Sequence, residues 1–471
     1  MSITSKINDS LSGRALLYTA GNFALNFLSV ISAPIFVRLM STAEYGTAAI
    51  FFTWVLLLSN VVGLRVDGTI QNARSTYGSD KLAGYCSSTL FLSIGGLLLM
   101  LVVSFVLIRP LSSVSGLAPA FWMLAVVTSF GIACSNARML YCTAEKKATG
   151  NMLISLLLAA LQVAVSLVFL LFFLDTGFNG DGFAARVVGY AIPSIGVGLG
   201  IVLFFFLKGK TFVDFKYWKF CLTLSIPLIF NGIAYLLINQ SGRLIVNELM
   251  GASMAGIYSF AYSAGLPASV LASAMGSAWA PEYYDYLDKG DVSGMKKHAQ
   301  LFMRNMTLVF CGVMLVVPEV LMVLGTPEYY EGIPMLPLIV LAYYFQYLFT
   351  WPVNCKFYHR KTKSIATSTA IAAVANVVLC FLGVVYFGII GAAAASLAAF
   401  FILFLLHHFT AKKEVDSYDF SFGWYMKGLL PVLAVTIISY VFIDSFVVRW
   451  AVAAVFGILF FMSVKKNKSL M

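Results

Sequence analysis

The sequence predicts an all-α polytopic membrane protein of about fourteen spans. Three observations predict it. Of 471 residues, 60% are hydrophobic and only 11% charged, against about 25% charged in a soluble domain, and the mean hydropathy is +0.89. The apolar runs are continuous over about 20 residues, the length a helix needs to cross about 30 Å of hydrocarbon. A membrane barrel would instead show stretches of about ten residues alternating in polarity. Finally, Lys and Arg recur between the runs in a regular alternation.

In chain order the expected spans are 15–37, 46–64, 87–108, 117–137, 152–174 and 183–207. After a basic, aromatic-flanked stretch, Lys208–Phe220, come 221–241, 255–276, 303–325, 333–354, 364–385 and 388–409, then 425–444 and 447–464. Met1 to Gly13 is polar and carries no cleavage-site pattern, so the first span is expected as a retained helix rather than a signal peptide. Placing both ends in the cytoplasm puts 26 of the 31 Lys and Arg in inner segments, as the positive-inside rule requires. Only Arg38, Arg109, Arg186, Arg243 and Arg449 fall outside. A wrong span count would scramble this alternation from the error onward.

The net charge of +11 therefore reflects that bias and attraction to anionic lipid headgroups. No soluble module offers a basic face, so nucleic acid is not an expected partner. The seven cysteines are scattered, and none forms a CxxC pair, so neither a disulfide framework nor a metal site is suggested. Inter-span segments reach only about 20–27 residues, with no paired carboxylates or metal-ligand spacing, which argues against an enzyme.

The chain also repeats itself. Leu39-Met40 precedes Gly46 as Leu249-Met250 precedes Gly256, Glu145-Lys146-Lys147 matches His359-Arg360-Lys361, Gln162 falls on Asn376, and Gly182-x-Ala184-Ala185 matches Gly391-x-Ala393-Ala394. The offsets cluster near 210. They imply two parallel six-helix lobes related by a pseudo-two-fold axis along the membrane normal. The expected organisation is an N-lobe at 1–207, a cytoplasmic linker at 208–220 lying on the inner surface, a C-lobe at 221–409, and a C-terminal helix pair with a basic tail at 410–471.

Further residues carry a family resemblance. Pro34, Arg38-Leu39 and Glu44-Tyr45-Gly46 resemble the first outer loop of the polysaccharide-exporter branch of the multidrug/oligosaccharidyl-lipid/polysaccharide (MOP) superfamily, and most of all its Wzx-type O-antigen flippases. Ser225-Ile226-Pro227, Arg243-Leu244-Ile245, Gly256-Ile257-Tyr258 and Pro281-Glu282-Tyr283-Tyr284 follow in the family's order, as do Lys361-Thr362-Lys363, Asn376 and Gly388-x-x-Gly391-Ala392-Ala393. One departure stands out: the family usually places an Asp before the arginine ending span 7, and here the residue is Gly242. Span 1 also lacks a carboxylate, so drug/proton antiport through an acid there is not supported.

The resemblance implies a flippase in the bacterial cytoplasmic (inner) membrane. It would move an undecaprenyl-pyrophosphate-linked oligosaccharide to the outer leaflet by alternating access, through a cavity between the lobes. It implies no cofactor, coupling to a proton or sodium gradient, and as partners membrane lipids, a polysaccharide polymerase and a chain-length regulator. An ion-coupled multidrug or small-cation exporter of the same superfamily is the alternative; it needs an intramembrane carboxylate, and only Glu319 comes close.

Such a cargo asks for aromatic and amide groups against sugar and arginines against pyrophosphate. On span 7, Asn231, Tyr235, Asn239 and Arg243 follow at four-residue spacing, close to one helix face. Tyr258 and Tyr262 in span 8, Tyr347 and Asn354 in span 10, and Arg38, Arg65 and Arg138 complete the candidates. Asn22, Asn26 and Ser29 in span 1 could join them. Polar stripes also glue membrane helices together, tyrosines near span ends also anchor at the interface, and Arg65 and Arg138 also fit the positive-inside rule. His407 and His408 are expected at the inner interface.

Overall fold

The computed structural model describes residues 32–175 and 181–466. Most of the first expected span, with Asn22, Asn26 and Ser29, lies outside them. The described residues form helices and no strands. In order these are α1 (Thr42–Val62), α2 (Ile70–Tyr77), α3 (Ser79–Val106), α4 (Ile108–Ser115), α5 (Pro119–Ala144), α6 (Ala148–Asp175) and α7 (Gly182–Gly209). They continue with α8 (Phe215–Met250), α9 (Ala252–Lys289), α10 (Val292–Leu324), α11 (Leu336–Tyr358), α12 (Thr362–Glu414), α13 (Phe422–Val441) and α14 (Phe446–Lys466). Eleven stretches are long and apolar enough to cross a membrane, and the chain is a multi-pass membrane protein. α9 is not among the eleven, because Ser, Gly and Tyr dilute its apolar residues.

Helix ends explain several motifs. Ser41 caps α1 and Glu44 completes the capping box. The Glu44 carboxylate also accepts the Gly182 N–H at 2.6 Å, tying the start of α7 to the start of α1. α12 holds two expected spans in one run, broken at Gly388, with φ 60° and ψ −143°, a backbone that glycine adopts readily. Gly383 and Gly391 pack backbone to backbone across the break. In a straight helix they would stand about 12 Å apart, so the chain doubles back at Gly388 without a loop.

The stretch Lys208–Phe220, expected as a cytoplasmic linker, is divided between the end of α7, a short link and the start of α8. Lys210, in the left-handed region at φ 51°, stops α7. Asp214 then caps α8 by accepting from the Lys216 and Tyr217 N–H groups. Ser88 of α3 anchors the junction through Asp214 N and Trp218 Nε1.

The chain falls into two compact units, Met1–Leu236 with Met250–Gly256, and Leu237–Leu249 with Ile257–Met471. These boundaries differ from the sequence-based ones because α8, 36 residues long, contributes to both. Within the first unit the repeat-related segments meet reciprocally. A Cβ at Gly46 would overlap the Ala252 carbonyl, and one at Gly256 would overlap the Thr42 carbonyl. Such close backbone approach is how membrane helices gain packing energy that water does not supply.

In the second unit α11 is central, with Tyr344, Tyr347 and Trp351 fully enclosed. Trp279 of α9 packs on Trp351 at 4.5 Å. The C-terminal helices α13 and α14 pack onto α10 in this unit: Thr436 contacts Met314, Ser463 bonds both Arg304 and Asn305, and Arg449 pairs with Glu319.

Candidate functional site

In the first unit the site residues gather at the end of α1. The chain leaves α1 through Leu64 (φ 50°) and Arg65 (φ 46°), two non-glycine residues in the left-handed region. Each costs about 1–2 kcal/mol, and strain of this kind concentrates at functional sites. The turn aims Arg65 at Asn60 Oδ1, to which Nη1 donates at 3.2 Å, and at Asp67, 3.7 Å from Nη2. Arg65 Nε is buried without a partner. Gly232 of α8 lies over this pair, so a Cβ there would stand 2.6 Å from Asn60 Oδ1. Beside it on α8, Asn231 and Tyr235 are exposed.

Asp67 was not singled out from the sequence, because nothing marks a lone Asp in a short loop as buried. Burial pushes its carboxyl above the ordinary range, against the pull of the Arg65 guanidinium and two backbone N–H groups.

In the second unit the centre is Arg243. It is half-buried, donates to Gln240 Oε1 at 2.5 Å, and keeps a buried, unpartnered Nε. Among the described residues no carboxylate lies within ion-pair distance of it. The neighbouring Gly242 is filled from α9, because a Cβ there would overlap the Tyr258 hydroxyl. The room an Asp would need is therefore occupied by a phenol. The Tyr258 and Tyr262 rings lie 4.7 Å apart, tilted by 39°. Just ahead of Arg243 on α8, Leu237 O, Ile238 O and Ser241 Oγ accept from Asn376 Nδ2, which fastens α12 to α8. Asn239 is half-buried on the same helix.

The remaining candidates lie elsewhere. Arg38 is exposed on the helical stretch 32–39. Arg138 sits over Phe204 at 4.2 Å and near Tyr141 and Phe205, a cation–π packing role on α5 and α7. Tyr347 is enclosed among Phe310, Tyr344 and Trp351. Asn354 is half-buried with its Nδ2 unpartnered.

Two outer arginines have structural partners that the sequence did not reveal. Arg186 lies over Phe36 at 3.4 Å and near Phe52, and Arg449 pairs with Glu319. His407 and His408, expected near the inner interface, are both buried within the protein. His407 meets the buried Lys356, which also bonds Ser364 and Thr410, while His408 bonds the Tyr418 hydroxyl. Among the described residues no three His, Cys, Asp or Glu side chains come together to hold a metal.

Comparison with known proteins fits this architecture. The pattern of the family described as "Polysaccharide biosynthesis protein" matches residues 14–283. No curated protein sequence matches the chain. Among solved structures, the lipid II flippase MurJ in an inward closed conformation is similar over 97% of this chain and 99% of its own, at 15% identity and a TM-score of 0.75. An inward-facing multidrug resistance MATE family transporter of the MOP superfamily covers 86% of this chain and 100% of its own, at 14% identity and a TM-score of 0.61. A MOP superfamily transporter from Pyrococcus furiosus Vc1 covers 88% and 98%, at 15% identity and a TM-score of 0.56. At these identities the likeness shows the fold.

Proposed function

Because the chain belongs to the polysaccharide biosynthesis protein family, which matches more than half of its length, we propose that it is a lipid-linked oligosaccharide flippase. It moves an undecaprenyl-pyrophosphate-linked repeat unit from the cytoplasmic to the outer leaflet of a bacterial inner membrane, by alternating access. The product feeds O-antigen, capsule or exopolysaccharide assembly. A polymerase and a chain-length regulator act next, and a proton or sodium gradient drives the cycle.

The observation that carries this reading is Arg243. A half-buried guanidinium with a spare Nε and, among the described residues, no acid within ion-pair distance is an unfilled charge, and a pyrophosphate fills it bidentately. The α8 stripe running from Arg243 through Asn239 and Tyr235 to Asn231 supplies amides for sugar hydroxyls and a ring for sugar C–H faces. In the first unit, Arg65, only partly balanced by Asp67, offers an anion contact of its own. Drug export is less favoured, because Glu319, the carboxylate it would use, is bound by Arg449.

Arg243→Ala is expected to abolish most surface polysaccharide while the protein accumulates normally in the membrane. Arg243→Lys, which keeps charge but loses the fork, recovers part of it. Full polysaccharide from Arg243→Ala would remove Arg243 from the site.

A further inference from the structure

Two adjoining recesses lie along α10, the first between it, α13 and α14 and the second between it and α14, at the helix ends that the charge alternation places on the cytoplasmic side. The first, about 520 Å³, sets Lys297, Arg304 and Lys427 over Leu301, Pro431 and Phe456. The second, about 620 Å³, sets Arg304, Lys465 and Lys466 over Leu308, Leu459 and Met462. Arg304 and Leu308 line both, and among the described residues no acidic side chain lines either. The nearby acid Asp419 is taken up by Lys296, which lines neither recess.

Arg304 is positioned rather than neutralised. Its Nη2 donates to Ser463 Oγ at 2.6 Å, and that hydroxyl donates to Asn305 Oδ1 at 2.5 Å. On the same helix as the recess residues Phe456, Leu459 and Met462, α14 also exposes the apolar side chains of Val455 and Ile458.

We propose that these recesses bind one anionic glycerophospholipid of the inner leaflet, of the two-phosphate diphosphatidylglycerol class. Five cations without an acid call for an anionic head. The apolar floor, continuing along α14, calls for acyl chains and excludes a purely water-soluble ligand. Two basic clusters joined through one arginine fit two phosphates of a single headgroup better than two separate lipids. The bound lipid bridges α10 to the C-terminal helix pair. The site is independent of what the chain transports, and none of its residues belongs to the Arg243 or Arg65 clusters.

The test is native mass spectrometry of the purified full chain with diphosphatidylglycerol, phosphatidylglycerol or phosphatidylethanolamine. The parent protein is expected to retain one diphosphatidylglycerol in preference to the other two. The variant Lys427→Gln/Lys465→Gln/Lys466→Gln leaves the Arg304–Ser463 bond intact. It should bind on the order of a hundredfold more weakly, from about fivefold per cation. The corresponding triple Arg variant should bind as the parent does. If the Gln triple does not yield folded protein, Lys427→Gln and Lys465→Gln alone should each lose about fivefold.

Equal binding of the parent and the Gln variants overturns the proposal. So does equal retention of phosphatidylethanolamine, or displacement by soluble pyrophosphate. Preferential retention of undecaprenyl pyrophosphate through these lysines also overturns it, by assigning the recesses to cargo. Arg243→Ala is expected to leave lipid retention unchanged, which separates this site from the transport reading.

Discussion

Arg449 on α14 and Arg243 on α8 give the same signal in the sequence, an arginine on the side of the membrane where arginines are scarce. The structure separates them. Arg449 is 1% exposed and pairs with Glu319 of α10, so its charge is consumed in holding two helices together. Arg243 is half-buried, has the neutral Gln240 as its hydrogen-bond partner, and faces the Tyr258–Tyr262 pair. An ion pair spends a guanidinium on the fold, whereas an unbalanced one stays available for an anionic ligand. Arg65 stands between them, with Asp67 at 3.7 Å and one N–H left over.

The largest effect is expected at the spent pair. Glu319→Gln strands a buried guanidinium and should cost about 3–5 kcal/mol, read as a fall in the thermal melting of purified protein. Replacing both partners by apolar residues of similar volume should restore most of it. A Glu319→Gln protein as stable as the parent would erase the distinction between the two arginines.

At the available arginine the loss should appear in transport rather than stability. Removing charge-assisted bonds worth about 1.5–3 kcal/mol should slow translocation of a lipid-linked oligosaccharide in proteoliposomes about 10- to 100-fold, with melting within about 0.5 kcal/mol of the parent.

Gly242→Asp should convert Arg243 into a spent arginine. Alone it drives a side chain into Tyr258 and is expected to destabilise by about 1–3 kcal/mol. With Tyr258→Ala making room, the carboxylate should reach Arg243 and depress translocation while restoring part of the stability. Undiminished translocation in that double variant would show that Arg243 need not be free of an acid.

The smallest effect belongs to Asp67. Burial raises its folded-state pKa, so the folded protein binds more protons there than the unfolded chain does. Its ionised form is therefore a liability at neutral pH, relieved as pH falls through the raised value and fully relieved below the unfolded one. Asp67→Asn should be more stable than the parent at pH 7 by under about 1 kcal/mol, with the gap closing on acidification. A gap that widens at low pH would contradict it.

The helices were legible because membrane hydropathy is a long-range, redundant signal. Each expected span from 46–64 onward falls on helical residues, with 364–385 and 388–409 together on α12, whereas the turn at Gly388 was not foreseen. The site was legible only in its chemistry. The α8 stripe and the arginines were found by spacing and by their breach of a charge rule. Their partners were not, because Glu319 and Arg449, or Gly242 and Tyr258, are brought together by tertiary packing. Asp67 and Lys356 were passed over for the same reason. A charge near a span end reads as solvated until the packing around it is known, and Lys356 is wholly buried.

The reversal at Gly388 bears on how the chain reaches the membrane. With no loop between the two arms of α12, no hydrophilic segment has to cross during insertion. The arms are expected to enter the bilayer together, as one folded pin, instead of being threaded in turn. An epitope placed at Gly388 would then tax biogenesis before it touched transport, whereas the junction between Glu414 and Phe422, on the expected cytoplasmic side, should accept one.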